Sequence, residues 1–156
     1  MNKKLTLIAI IVVAVLILSA CSPVGIHYAK GNRYTSGDAS ILGRVRELNI
    51  NWADGSVSVA YHRGSRVEVS ETAGHSLNKD QRLHWFLDGS TLNIQYAASG
   101  SHVLSNLNKH LTVLLPDDLR LDDLRINVAS AQVEADGGDK VAAMKKTYKD
   151  LKLDCL

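Results

Sequence analysis

Apolar and polar residues alternate in short bursts along most of this 156-residue chain. Leu48, Ile50 and Trp52 form one burst, and Val57, Val59 and Tyr61 the next. Leu83, Trp85 and Leu87 are answered by Leu92, Ile94 and Tyr96. Leu111, Val113 and Leu115 make a run closed by Pro116, and Leu124, Ile126 and Val128 precede Val133 and Ala135. Leu151, Leu153 and Cys155 begin one more. Successive side chains of a strand face opposite ways, so a period of two specifies strands with one face buried. The expected fold class is all-β. Only residues 140–149, with Val141, Met144 and Tyr148 at helical spacing, suit a short helix, and an irregular connector suits them equally.

The spacing between bursts suggests how strands connect. Bursts start at 48 and 57, 83 and 92, and 124 and 133, nine residues apart each time. A two-residue turn at Asp54-Gly55 would set Trp52 opposite Val57 and Ile50 opposite Val59, inward residue against inward residue, as an antiparallel hairpin requires. A turn at Gly89-Ser90 likewise sets Leu87 opposite Leu92 and Trp85 opposite Ile94. Ser130-Ala131 supplies neither Gly nor Asn for a positive φ, and a strand that bends round a corner and continues fits there as well as a hairpin. Corner-turning strands that stack on one another are solenoid behaviour. The expectation is antiparallel hairpins leading into a short β-solenoid or β-roll. Polar stretches at 72–80 and 97–109 read as loops.

The first twenty residues obey another logic. Lys3-Lys4, an apolar run and the closing Leu18-Ser19-Ala20 make a secretory signal. Cleavage between Ala20 and Cys21 would leave a cysteine first, and the stretch resembles the lipobox of bacterial lipoproteins. That resemblance implies lipidation of Cys21, with no other site residue assigned. Leu5 to Ala20 is sixteen residues, short of the ~20 a spanning helix needs. An uncleaved anchor is the alternative, and either reading exports the chain from residue 22 onward. The expected organisation is a signal peptide at 1–20, a lipidated N-terminus and tether at 21–44, and a β-repeat domain at 45–156. Residues 22–40 carry Pro23, Gly25, Gly31 and Gly37 and show no alternation.

Charge and cysteine content exclude several classes. Lys3 and Lys4 account for the excess of 18 basic over 16 acidic residues, so the exported part is formally neutral. No basic stripe suggests a nucleic acid. With Cys21 lipidated, Cys155 has no partner within the chain, which rules out a disulfide framework and a cysteine-based zinc site.

Candidate chemistry is thin. His27, His62, His75, His84, His102 and His110 lack ligand spacing, and His84 and His110 are expected to point outward from strands. Neither a Gly-x-Ser-x-Gly elbow nor a calcium-loop pattern around Asp117-Asp118 and Asp122-Asp123 is present. No metal, cofactor or catalytic residue is expected. Trp52, Tyr61, Trp85 and Tyr96 fall on inward positions, which favours core over an exposed glycan platform.

The residues Asn49-Ile50-Asn51-Trp52, Gly55 to Val59 and Val67 to Glu71, then Leu83 to Ile94, then Leu111 to Pro116 and Leu124 to Ala131, resemble in order the bacterial family of adhesin-like β-strand repeats. The resemblance runs from Val45 to Ala135. It implies an exported, solenoid-like domain of unknown function, since the family's adhesin label is itself an inference. Relatives continue through further Ser-Gly rungs, where this chain ends at Leu156. The function expected is a non-catalytic, lipid-anchored cell-envelope protein facing the extracytoplasmic side, whose partners are the membrane and an envelope protein or glycan. A polysaccharide-active β-solenoid enzyme and a regulatory protein of the envelope stress response are the alternatives.

Overall fold

A computed structural model describes residues 30–101, 107–135 and 144–145. The described chain is all-β, with one 3-10 turn at Gly31–Arg33. Its strands are β1 (Thr35–Ser36), β2 (Ala39–Ile41), β3 (Glu47–His62), β4 (Val67–Thr72), β5 (His84–Asp88), β6 (Thr91–Gln95), β7 (His110–Pro116), β8 (Asp123–Ala135) and β9 (Met144–Lys145). Together they form one curled, open sheet.

Strand β3 is the axis of the sheet, and it corrects the first expected hairpin. Asp54-Gly55 is not a turn: β3 continues through it for 16 residues. Trp52 does not face Val57, because both lie on the same strand. The change of parity between Trp52 and Val57 is real, but a bend absorbs it. Gly55 has φ +90, and the Asp54 carboxylate accepts its N–H at 2.7 Å. Strand β8 runs on through the matching place, where Asp54 and Gly55 pair with Ser130 and Ala131 in a parallel ladder. Ser130-Ala131 is therefore not a hairpin turn, and of the two expectations there the continuing strand is the one observed.

The opposite edge of β3 forks. Its first half pairs in parallel with β6, from Glu47↔Thr91 to Asn51↔Gln95, and its second half with β7, from Ser56↔His110 to His62↔Pro116. Each branch then adds an antiparallel neighbour, β5 on β6 and β4 on β7. The β5–β6 hairpin has the register read from its sequence, with Leu87↔Leu92 and Trp85↔Ile94. The outer ends are β1 on β5 and β2 on β4. Those two strands are separated by only Gly37 and Asp38, so the segment 35–41 crosses from one branch to the other as β3 does on the far side. The sheet thus takes in residues from within the stretch read as a tether.

Three parallel strands stack like on like. Leu48, Leu92 and Leu124 align, as do Ile50, Ile94 and Ile126, and all six are buried. Between them Asn49 donates to Asn93 (3.2 Å) and Asn127 to Asn51 (3.0 Å). Alternation thus places the leucines and isoleucines in a core shared with Val57, Val59, Val113 and Leu115, and the amides in ladders on the outer face. Burial weakens towards β8: Trp52 and Val57 are fully buried, but their neighbours Val128 and Val133 only half so. Tyr96 is also buried and meets Trp52 edge-on at 5.0 Å, whereas Tyr61 and Trp85 are half-buried at the margin of the core.

Candidate functional site

The fork leaves a gap beside β3. Between Asn51 and Ser56 no described strand lies along the forked edge, and buried N–H and C=O groups need partners. Lys109, the residue before β7, fills that gap. Its carbonyl accepts the Ser56 N–H at 3.0 Å and the Trp52 indole N–H at 3.4 Å. A side chain at position 55 would overlap this carbonyl, which is why the corner requires glycine.

The Lys109 side chain turns back into the same gap and is fully buried. Its ammonium donates to the carbonyls of Gln81 (2.6 Å) and Tyr96 and pairs with the Glu71 carboxylate at 2.7 Å. It also lies over the rings of Tyr96 (4.4 Å) and Trp52 (5.0 Å). Glu71, itself nearly buried, accepts the Leu83 N–H at 2.6 Å. Gln81 and Tyr96 flank the β5–β6 branch, while Glu71 and Lys109 belong to the β4–β7 branch. One ammonium therefore joins both branches at the point where they part. Burial pushes the Lys109 pKa down, against the opposing pull of Glu71, and pushes the Tyr96 hydroxyl well above its ordinary range. A buried lysine of lowered pKa is a familiar mark of catalysis. Here the ammonium is held by two carbonyls and a carboxylate with no face open to solvent, an arrangement that acts as a clamp.

The expected loop at 97–109 thus ends on a core residue. Sequence reasoning missed it because a single lysine in a polar stretch carries no periodic signal. His84 is a second correction: it is buried, not outward, and its ring pairs with the Arg82 carbonyl at 2.9 Å. Its burial follows from both faces of β5 being covered, since Tyr34 packs on Phe86 and Arg33 lies over the Phe86 ring at 4.5 Å. His110 is exposed as expected and bonds Ser56 at 2.8 Å. Cys21, Ala20, His27, His102 and Cys155 lie outside the described residues, as does the signal segment.

Clefts open among the described residues. One, about 410 Å³, has Arg44, Arg46 and Arg120 on its walls together with Asp118 and Asp122. Asp122 holds Arg46 at 2.6 Å, and that bond raises the guanidinium's pKa. Arg125 takes Asp123 at 2.5 Å, so two of the four acids considered for calcium are committed to ion pairs. Another, about 460 Å³, lies beside Asn78, Asp80 and Gln81. Among the described residues no group of three or more His, Cys, Asp or Glu is placed to hold a metal ion. No described helix is long and apolar enough to cross a membrane. No protein-family model, curated protein or solved structure matches the chain.

Proposed function

We propose that this is a non-catalytic, lipid-anchored protein of a bacterial cell envelope, presenting a solenoid-like β-repeat surface to a protein or glycan outside the cytoplasmic membrane. The observation that carries the reading is Leu18-Ser19-Ala20-Cys21 placed ahead of a domain built of stacked strands. The in-register stack of Leu48, Leu92 and Leu124, with asparagine ladders beside it, supports the repeat character, since stacked equivalent rungs would set identical side chains in line. Among the described residues the lysine of perturbed pKa, Lys109, is consumed by structure, which favours a surface role over a catalytic one. Two acyl chains on Cys21 would hold such a domain stably where one would not.

The test is acylation and partition. In a bacterial host the full chain should take up labelled fatty acid and sediment with membranes, and Cys21→Ser should abolish the label. A chain that stays unlabelled and unprocessed refutes the anchor; a labelled chain that draws no partner from envelope extracts refutes the presentation role.

A further inference from the structure

Short alternations build the arginine-walled cleft. Arg44-Val45-Arg46 leads into β3 on one side, and Arg120-Leu121-Asp122 leads into β8 on the other. Val45 and Leu121 are buried in the core, and the charged residues flanking each are exposed. Backbone bonds tie the two segments down. The Asp122 N–H donates to the Arg46 carbonyl at 2.7 Å, and the Arg46 N–H to the Ser90 carbonyl at 2.8 Å. The turn between β3 and β4 brings Ser65 to the same cleft, and Arg63 and Arg66 of that turn are exposed.

The charges on these walls do not cancel. Asp122 is taken by Arg46. Among the described residues Arg44 and Arg120 have no ion-pair partner, and Asp118 is the one other acid lining the cleft. A carboxylate is satisfied in plane by a single guanidinium fork. Two free forks on separate segments suit an anion whose oxygens point in several directions, which is a phosphoryl group. At about 410 Å³ the cleft holds more than a bare phosphate and falls in the range of small-molecule sites. Asp118 would repel a bare phosphate and instead suits a hydroxyl of an alcohol esterified to it.

We infer that this cleft binds the phosphate ester of a small polyol, with the phosphoryl group held by Arg44 and Arg120 and a free hydroxyl donating to Asp118. Such an ester occurs both free, as a sugar or glycerol phosphate, and as the headgroup of an anionic lipid. The site stands on the walls of the cleft and does not depend on the anchor.

Calorimetric titration of the full chain in non-ionic detergent with glycerol 3-phosphate, over a constant sodium chloride background, tests the site. Saturable binding is expected. Arg44→Gln and Arg120→Gln should each weaken it at least about tenfold, since a charge-assisted bond is lost. Arg125→Gln removes an exposed arginine outside the cleft and should leave binding unchanged. Both cleft arginines are exposed, so their replacement should leave the fold intact, which a thermal melt without ligand checks. Asp118→Ala should tighten inorganic phosphate and erase the advantage of the ester over it. Absence of saturable binding, or equal weakening in Arg125→Gln, overturns the inference. The same titration with the chain in phosphatidylglycerol vesicles assigns the source. A headgroup that occupies the cleft competes and weakens the free ester, and an unchanged affinity leaves the free ester as the ligand.

Discussion

Replacing Lys109 with methionine tests whether the two branches of the sheet are held by one ammonium. Methionine keeps the volume of the aliphatic stem, so little cavity forms and the change is mainly electrostatic. Glu71, with its side chain 6% exposed, would be left as a buried charge with no counter-charge and only the Leu83 N–H to bond it. Removing one member of a buried pair costs about 3–5 kcal/mol. The Gln81 and Tyr96 carbonyls also lose the ammonium as donor, and each buried orphan costs about 1–3 kcal/mol. These terms overlap, because part of the pair's cost is the same desolvation, and we expect a loss of about 4 kcal/mol in all. Urea unfolding monitored by tryptophan fluorescence, from Trp85 and from Trp52, whose ring lies 5.0 Å from the ammonium, reads it. With a slope of about 1.5 kcal/mol/M the midpoint should fall by about 2.7 M. Glu71→Leu in the same chain should recover roughly 2 kcal/mol by removing the stranded charge, and the double mutant should be far from additive. It should not return to wild type, since the Leu83 N–H then loses its acceptor. A single mutant within about 1 kcal/mol of wild type, or an additive double mutant, would refute the clamp.

The same geometry sets three further outcomes. Gly55→Ala should lower stability by more than about 3 kcal/mol, combining a positive φ with overlap of the Lys109 carbonyl, whereas Gly89→Ala, at φ +63 with open space around it, should cost only about 1 kcal/mol; paired thermal melts decide. Tyr96 has its folded pKa raised, so its stabilising effect is complete below the ordinary tyrosine value of about 10 and is lost as pH climbs above it. Lys109, lowered in the fold, works with the opposite sign below its own ordinary value, so the net fall should be confined to pH above about 10 and should be shallower in Tyr96→Phe, as denaturation at pH 9 and pH 11 would measure. Asn51→Ala should cost about 1 kcal/mol by cutting the 3.0 Å bond from Asn127, and a neutral result in urea would remove the ladder from the account.

Alternation alone is enough to read the all-β class, and Gly89-Ser90 is enough to read β5–β6 down to its register. The same logic fails at Asp54-Gly55, where a turn and a corner satisfy the parity switch equally well. What separates them is distant: the Lys109 carbonyl enters the space that a glycine leaves, and β8 pairs with β3 straight through Asp54 and Gly55. Parallel partners many residues away leave no local mark, so the pairing of β3 with β6, β7 and β8 is illegible from spacing within one burst. The alignment of Leu48-Asn49-Ile50-Asn51 with Leu92-Asn93-Ile94-Gln95 and Leu124-Arg125-Ile126-Asn127 is the available signal, visible only when bursts are compared residue by residue. The clamp is hidden more deeply, since Glu71, Gln81, Tyr96 and Lys109 come from four separate segments and none of them breaks a pattern.

The crossing at Gly37-Asp38 has a mechanical consequence. Gly37 donates to the Leu83 carbonyl at 2.8 Å and Asp38 accepts the Glu71 N–H at 3.0 Å, so this short link grips both branches beside the clamp. Tension drawn through the leading end of the chain passes from β1 on β5, through that grip, to β2 on β4. A domain suspended from that end would have to part contacts on both branches before the pull entered β3 at Glu47.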